Sequence, residues 1–316
     1  MLHVRLITPS ERTEEVVDLI EHTVGTTHLA VLKGAARSPD GDVVLCDVAR
    51  EACDGLIAGL RKLEIDECGS IAVENIDLSL SESADEAEEA APGDPADAVI
   101  WDQLTEATHE ESTLSVSYVA FLAIAMMLAA CGVILDNAIL IVGAMAVGPE
   151  FGPLAGLSTA LVRKSPQLVL RSLNALFTGF AAALVLTSAF AWLMDGLGLF
   201  TRDMLEADRP NTEFIFRPDW MSFVVAFLAG IAGTLSLTSA KSGALIGVAI
   251  SVTTVPAAAN AAVAFSYKDY GQTAGSAGQL LANLGGIVLA GTLTLLTQKW
   301  LWARERERTP TKARLD

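Results

Sequence analysis

From Val116 onward the chain is dominated by long apolar stretches, near 116–135, 138–162, 172–194, 221–240, 243–265 and 278–298. Each approaches the ~20 residues an α-helix needs to cross the hydrocarbon core of a bilayer. This feature confines the fold most severely, because in lipid every backbone polar group must be satisfied inside its own helix or a closed barrel. The reading is an α-helical polytopic membrane domain of six spans over residues 115–300, with a basic tail over 301–316.

Charge follows the same division. Residues 1–115 hold 26 Asp and Glu against 7 Lys and Arg, whereas residues 116–316 hold 12 against 14. A soluble acidic part therefore precedes a nearly neutral apolar part. The net charge of −17 argues against a nucleic-acid partner, which would want a basic face. Basic residues also orient the spans. With the N-terminus inside, ten of them fall on the inner side: Arg163, Lys164, Arg171, Lys241, Lys299, Arg304, Arg306, Arg308, Lys312 and Arg314. Arg202, Arg209, Arg217 and Lys268 fall outside. Residues 1–11 show no apolar signal core. The expectation is a multi-pass protein of the inner (plasma) membrane with both termini cytoplasmic.

The soluble part reads as β-α-β-β-α-β. Residues 2–8 alternate apolar and polar as a half-buried strand does. Ser10 is placed as the N-cap of a helix that Gly25 ends. Residues 27–34 and 42–48 are strands around the turn at Ser38-Pro39-Asp40-Gly41, Arg50–Ile65 is a helix and Ser70–Leu78 a strand. This is the split order of a ferredoxin-like domain over residues 1–78, a fold that fixes no function. His3, His22 and His28 match no metal spacing and are read as ordinary surface or strand residues. Cys46, Cys53, Cys68 and Cys131 form no CxxC pair and are expected as free thiols. Residues 79–97 are acidic, poor in apolar side chains, and read as an unordered linker. Residues 98–114 read as an amphipathic helix with Trp101 either at the headgroups or packed on its neighbours.

Within the second apolar stretch, residues 141–156 hold Gly148, Pro149, Glu150, Gly152 and Pro153. Proline removes a backbone donor and clashes with the preceding turn, and an ionisable group at membrane depth is costly unless paired, neutral or wet. The second span is therefore expected to be broken here. Ile141-Val142-Gly143-Ala144 and Leu245-Ile246-Gly247-Val248 occupy corresponding places before Pro149 and Pro256. With three spans in each half, that invites a 3+3 inverted repeat with broken second and fifth helices; chance likeness between Gly/Ala/Val-rich helices is the alternative.

These residues carry a resemblance. Ser115-Val116-Ser117-Tyr118, Asn137, Val142-Gly143-Ala144-Met145 with Pro149 and Gly152-Pro153, Gly230-Ile231-Ala232-Gly233, Gly247-Val248-Ala249-Ile250 with Pro256, and Asn283 resemble a prokaryotic membrane family, hydrophobic domain of unknown function 389. The resemblance spans about residues 110–298. It implies a multi-pass inner-membrane protein, often with a ferredoxin-like soluble part, and no activity. Two departures from the family pattern stand out: Glu150 where members tend to be apolar, and Val255-Pro256 where they tend to have two prolines.

The binding residues expected for a pathway are Gly148, Pro149, Glu150, Gly152, Pro153, Thr253, Thr254, Pro256, Asn260 and Asn283. Glu150 with carbonyls freed by Pro149 and Pro153 makes a cation or proton site; its bland alternative is a carboxylate facing water. Thr253, Thr254 and Asn260 would supply neutral ligands or merely bond helix to helix, and for Asn283 helix bonding is the simpler role. No P-loop, nucleophile elbow or dinucleotide fingerprint sits in a supporting context, so no enzymatic activity and no cofactor are expected. The sequence reads as a transporter or channel for a small solute or ion, with the lipid bilayer as its medium, a homo-oligomeric state and a regulatory soluble domain. The alternative is a membrane receptor or scaffold that senses a small ligand through that domain.

Overall fold

The computed structural model describes residues 1–91, 93, 98–216, 220–239 and 254–308. The chain divides into two compact units, one built on Met1–Asp102 and the other on residues from Gln103 to Lys299.

The first unit is a four-stranded antiparallel sheet. Its strands are β1 (Leu2–Thr8), β2 (Thr26–Arg37), β3 (Asp40–Val48) and β4 (Ser70–Asn75), in the order β2-β3-β1-β4. Helix α1 (Thr13–Glu21) joins β1 to β2 around β3, and α2 (Arg50–Lys62) with the short α3 (Ile65–Cys68) joins β3 to β4 around β1. The expected element order is therefore present, with both crossovers split by an intervening strand. The period-2 pattern explains the packing: Leu2, Val4 and Leu6 of β1 point to one face with Val44, Cys46 and Val48 of β3, under Val16 and Ile20 of α1 and Leu56 and Leu60 of α2. Each fully buried aliphatic side chain contributes roughly 1.5–3 kcal/mol. Burial pushes the Cys46 and Cys53 thiols up to about 12, so both remain protonated core residues.

Two local expectations are corrected. Ser10 does not cap α1, whose N-cap is Arg12; its hydroxyl donates instead to Asp42 Oδ1 at 3.1 Å. The acidic stretch read as an unordered linker contains helix α4 (Glu82–Ala90), which buries Ala84 and Ala87. Two small apolar residues three apart supply a face that overall charge concealed. Further on, α5 (Trp101–Glu111) begins with the Trp101 backbone N–H donating to Asp54 Oδ1 at 3.2 Å.

The second unit is helical. It comprises α6 (Val116–Ile134), α7 (Ala138–Met145), α8 (Phe151–Arg163), α9 (Pro166–Gly196), α10 (Arg202–Glu206), a 3-10 turn at Glu213–Ile215, α11 (Trp220–Thr238), α12 (Thr254–Ser266) and α13 (Tyr270–Arg308). Among the described residues four helices, Val116–Ile134, Pro166–Gly196, Trp220–Thr238 and Tyr270–Trp302, are long and apolar enough to cross a membrane. The second expected span is divided: α7 ends at Met145 and α8 starts at Phe151. Most of the first half of the fifth, with Leu245–Val248 of the expected repeat, lies outside the described residues.

The core explains why α12 is central. Thr254 through Ala264 are all buried, as in a helix covered on every side. Its alanines pack against Leu122, Met126 and Ala129 of α6 and Phe180 and Ala183 of α9. Small side chains let helices approach closely where lipid offers no hydrophobic driving force. Gly179 shows the same principle on α9, since a Cβ there would lie 2.5 Å from Tyr118 Cε1.

Candidate functional site: a buried carboxyl at a helix break

The turn Asp136-Asn137 leads into α7. Asp136 takes the left-handed φ of 46°, and the Asn137 side chain accepts from the N–H groups of Ile139 and Leu140 at 3.0 and 3.1 Å. After Met145 the helix stops. Pro149 and Pro153 supply no N–H, which removes the helical donors that would meet the carbonyls of Met145 and Pro149. Chain direction is recovered at Glu150, the N-cap residue of α8, and Pro153 falls in that helix's first turn, where proline is tolerated.

The break delivers Glu150 to the core. It is 1% exposed, and Thr254 Oγ1, itself fully buried, donates to Glu150 Oε1 at 2.7 Å. The two residues stand 104 apart in sequence. The other carboxyl oxygen lies over Gly148: a Cβ at that position would fall 2.4 Å from Glu150 Oε2 and 3.0 Å from Val255 Cγ2. The carboxyl also acts electrostatically on the buried hydroxyl of Tyr118 on α6. A carboxyl in this setting can hold a proton or, ionised, coordinate a cation together with the threonine hydroxyl and exposed carbonyls.

The remaining expected residues divide. Pro149 and Pro256 flank the Glu150–Thr254 contact in sequence. Gly152 serves packing, since a Cβ there would lie 2.6 Å from Glu111 Cβ, and Gly156 one turn on would meet Ser112 Oγ at 2.3 Å. Asn260 is buried but belongs to a second cluster, in which it accepts from Arg209 and donates to Ser276. Asn283 is buried and accepts from Gln279 at 3.2 Å. Thr253 lies outside the described residues. An apolar cavity of about 680 Å³, lined by Leu154, Leu161, Phe177, Phe180, Leu284 and Val288 among others, contains none of the expected residues.

Sequence reasoning missed Arg209, Gln272, Ser276 and Gln279. The last three had a signal, because with Asn283 they recur at i, i+4, i+7 and i+11 on a helix otherwise apolar enough to span. Arg209 had none, being one basic residue in a charged loop.

In the first unit two of the three histidines read as ordinary, His3 and His28, share one carboxylate. His3 Nδ1 and His28 Nδ1 each lie 2.7 Å from an oxygen of Asp47. Burial opposes ionisation of Asp47, but the bonds to His28 and His3 outweigh it and hold the carboxyl below its ordinary value. Among the described residues no group of three His, Cys, Asp or Glu is placed to hold a metal.

Comparison with known proteins agrees with the sequence resemblance. The family model described as domain of unknown function (DUF389) matches residues 145–289, a range that begins at the end of α7 and takes in both Glu150 and Thr254. An uncharacterized protein of Methanocaldococcus jannaschii is 23% identical over 227 residues, 70% of this chain and 68% of that relative. No solved structure matches.

Proposed function

We propose that the protein is a multi-pass inner-membrane transporter or channel for a small solute or ion, and not an enzyme. The observation that carries this reading is the Glu150–Thr254 pair. A carboxyl at the break of a span-length apolar segment, 1% exposed and 2.7 Å from a buried threonine, is costly in lipid and unnecessary for anchoring. Proton or cation coupling gives it a use. In this reading the basic residues place both termini in the cytoplasm, the chain works as a homo-oligomer, and the sheet unit regulates it. The test is flux in proteoliposomes after Glu150→Gln, which keeps the acceptor for Thr254 and removes the charge. Flux is expected to be lost with assembly intact; unchanged flux removes Glu150 from the mechanism.

A second reading, a receptor or scaffold that senses a ligand through the sheet unit, is favoured by one observation. A cleft of about 800 Å³ on that unit is lined by Ser10, Thr13, Asp18, Lys33 and Asp42 among others, a polar lining suited to a small hydrophilic ligand. A metabolite screen against the full chain that yields no binder in this cleft would sink it.

A further inference from the structure

The apolar cavity of the helical unit lies between α8, α9 and α13, and its two ends differ. Its volume is about 680 Å³, and the lining runs from Leu154 to Leu161 on α8, from Leu173 to Leu184 on α9 and from Leu280 to Thr292 on α13. Every lining residue is apolar except Thr292 at one end. The cavity opens sideways, since Phe177, Leu281 and Leu289 in its wall are 70%, 64% and 50% exposed. Gly285 gives it width, because a Cβ there would meet nothing within 4 Å. From Leu173 to Leu184 the wall rises ~16 Å along α9, about half of the ~30 Å hydrocarbon core and so the depth of one leaflet.

Two lysines stand at the Thr292 end. Lys164 follows Leu161 by three residues and closes α8 as its C-cap, in the left-handed region at φ 56°, just before α9 starts at Pro166. Lys299 follows Thr292 by seven residues, two helical turns, and so continues the lining face of α13. The two lysines share one end because α8 and α13 run the same way. Asn260 bonds Ser276 near the start of α13, and Thr254, ~9 Å back along α12, bonds Glu150 at the start of α8. Further along both helices, Ser158 of α8 donates to the Val288 carbonyl of α13 at 3.3 Å. Both lysines are exposed, and among the described residues neither ammonium makes a hydrogen bond or ion pair. At the other end, α9 beyond Leu184 and α13 before Leu280 hold no Lys or Arg.

We propose that this cavity seats an acyl chain of an anionic phospholipid whose phosphate is held by Lys164 and Lys299. Charge selects the headgroup, since lysine binds phosphate as a point charge and basic sites between spanning helices take anionic lipid headgroups. Basic residues at span ends are ordinary; two on the faces that line one cavity make a headgroup site. Width selects a lipid chain over a helix of a second copy. Spread over ~16 Å, the cavity has a cross-section of roughly 40 Å², about half that of an α-helix ~10 Å across. Length selects a lipid of one leaflet. The site requires only that the helical unit lie in a bilayer, and rests neither on the transport reading nor on which side is cytoplasmic.

The test uses the full chain purified in detergent micelles. Phosphatidylglycerol is titrated into the micelles, with phosphatidylcholine of the same acyl chains and inorganic phosphate as separate arms, and thermal unfolding is followed. The expected result is a saturable rise in Tm of about 3–6 °C at ten times half-saturation with phosphatidylglycerol, a smaller rise with phosphatidylcholine and none with phosphate. A phosphatidylglycerol that carries a diazirine on its acyl chain is expected to crosslink to the lining peptides of α8, α9 or α13. Lys164→Gln with Lys299→Gln is expected to fold as the wild type does and to lower the phosphatidylglycerol response to that of phosphatidylcholine. Gly285→Leu fills the cavity and is expected to remove the crosslinks; should it fail to fold, the lysine variant still decides. Equal responses to the two lipids in the wild type overturn the site, as do an undiminished response in the lysine variant and crosslinks confined to other helices. A change from dimer to monomer in Gly285→Leu, with no lipid response in the wild type, overturns it too and gives the face to a second copy.

Discussion

Gly148→Ala tests whether the break in the second apolar segment exists to fold the Glu150 carboxyl over the backbone. The new Cβ would lie 2.4 Å from Glu150 Oε2 and 3.0 Å from Val255 Cγ2. The first distance cannot be tolerated. The second is tight but within reach of a small adjustment. Since Oε2 is the end of a flexible side chain, the cheapest response is for the carboxyl to swing away. That response breaks its hydrogen bond with Thr254 and leaves a hydroxyl buried without its acceptor, at about 1–3 kcal/mol. For a unit of this size that is a fall in Tm of about 2–12 °C. The assay is thermal unfolding of the full chain in detergent, arranged as a double-mutant cycle with Glu150→Ala. In the Glu150→Ala background no carboxyl remains to be displaced, so only the Val255 contact is left and Gly148→Ala is expected to cost well under half as much. An equal cost in both backgrounds would refute the reasoning and make Gly148 a plain packing residue.

Two other predictions concern close packing in the helical unit and a hydrogen-bonded carboxylate in the sheet unit. A Cβ on Gly230 would lie 2.7 Å from the Ile287 carbonyl oxygen and 2.8 Å from Ala290 Cβ, whereas Gly285 has nothing within 4 Å. Gly230→Ala is therefore expected to destabilise by about 1–3 kcal/mol or more, because backbone must move, while Gly285→Ala leaves Tm unchanged or slightly raised. In the sheet unit, the Gly34 N–H, Thr13 and Ser10, with Lys33, hold the Asp42 carboxyl below its ordinary value. A depressed carboxyl contributes stability that is full above its unfolded value and lost as pH falls through its folded one. Hydrogen exchange of β2 and β3 in the full chain is expected to accelerate as pH drops below about 4 after correction for intrinsic exchange, and Asp42→Asn should flatten that dependence; identical profiles would count against it.

The sheet unit was readable because its signals are local. Period-2 alternation in Leu2–Thr8 and helical spacing of Leu56 and Leu60 each name a buried face without help from the rest of the chain. The helix Glu82–Ala90 was not readable, because its buried face is only two alanines and the surrounding carboxylates dominate any compositional view. Ser10 failed as a cap for a different reason. A cap hydroxyl accepts from the first N–H groups of its helix, but Ser10 lies two residues before Arg12, the N-cap of α1, and donates instead to the Asp42 carboxyl that the sheet brings alongside. In the helical unit proline and glycine marked the break between Met145 and Phe151 without ambiguity. They did not reveal that Asn260 lies apart from Glu150 and Thr254. Thr254 and Asn260 are six residues apart, ~9 Å along α12, so one helix serves two polar clusters.

That separation bears on what α12 does. A helix buried on all sides gains nothing from polar side chains, and each one it carries must find a partner inside. Thr254 finds a carboxyl and Asn260 a guanidinium, so the helix joins an acidic site and a basic one through a run of alanines. Either group alone would be an expensive burial in a scaffold whose only task is to anchor a soluble domain. Two of opposite sign, held by helix positions ~9 Å apart rather than paired, are more expensive still, since direct contact would have offset much of the desolvation. If stability alone governed this core, replacing both by apolar residues of similar volume would be neutral or favourable, and Glu150→Met with Arg209→Met is the combination that asks the question. The expected outcome is a Tm within a few degrees of the wild type, or above it, with flux abolished. A collapse of assembly in the double variant, with each single variant tolerated, would instead make the two sites parts of one structural network and remove the reason to place a solute between them.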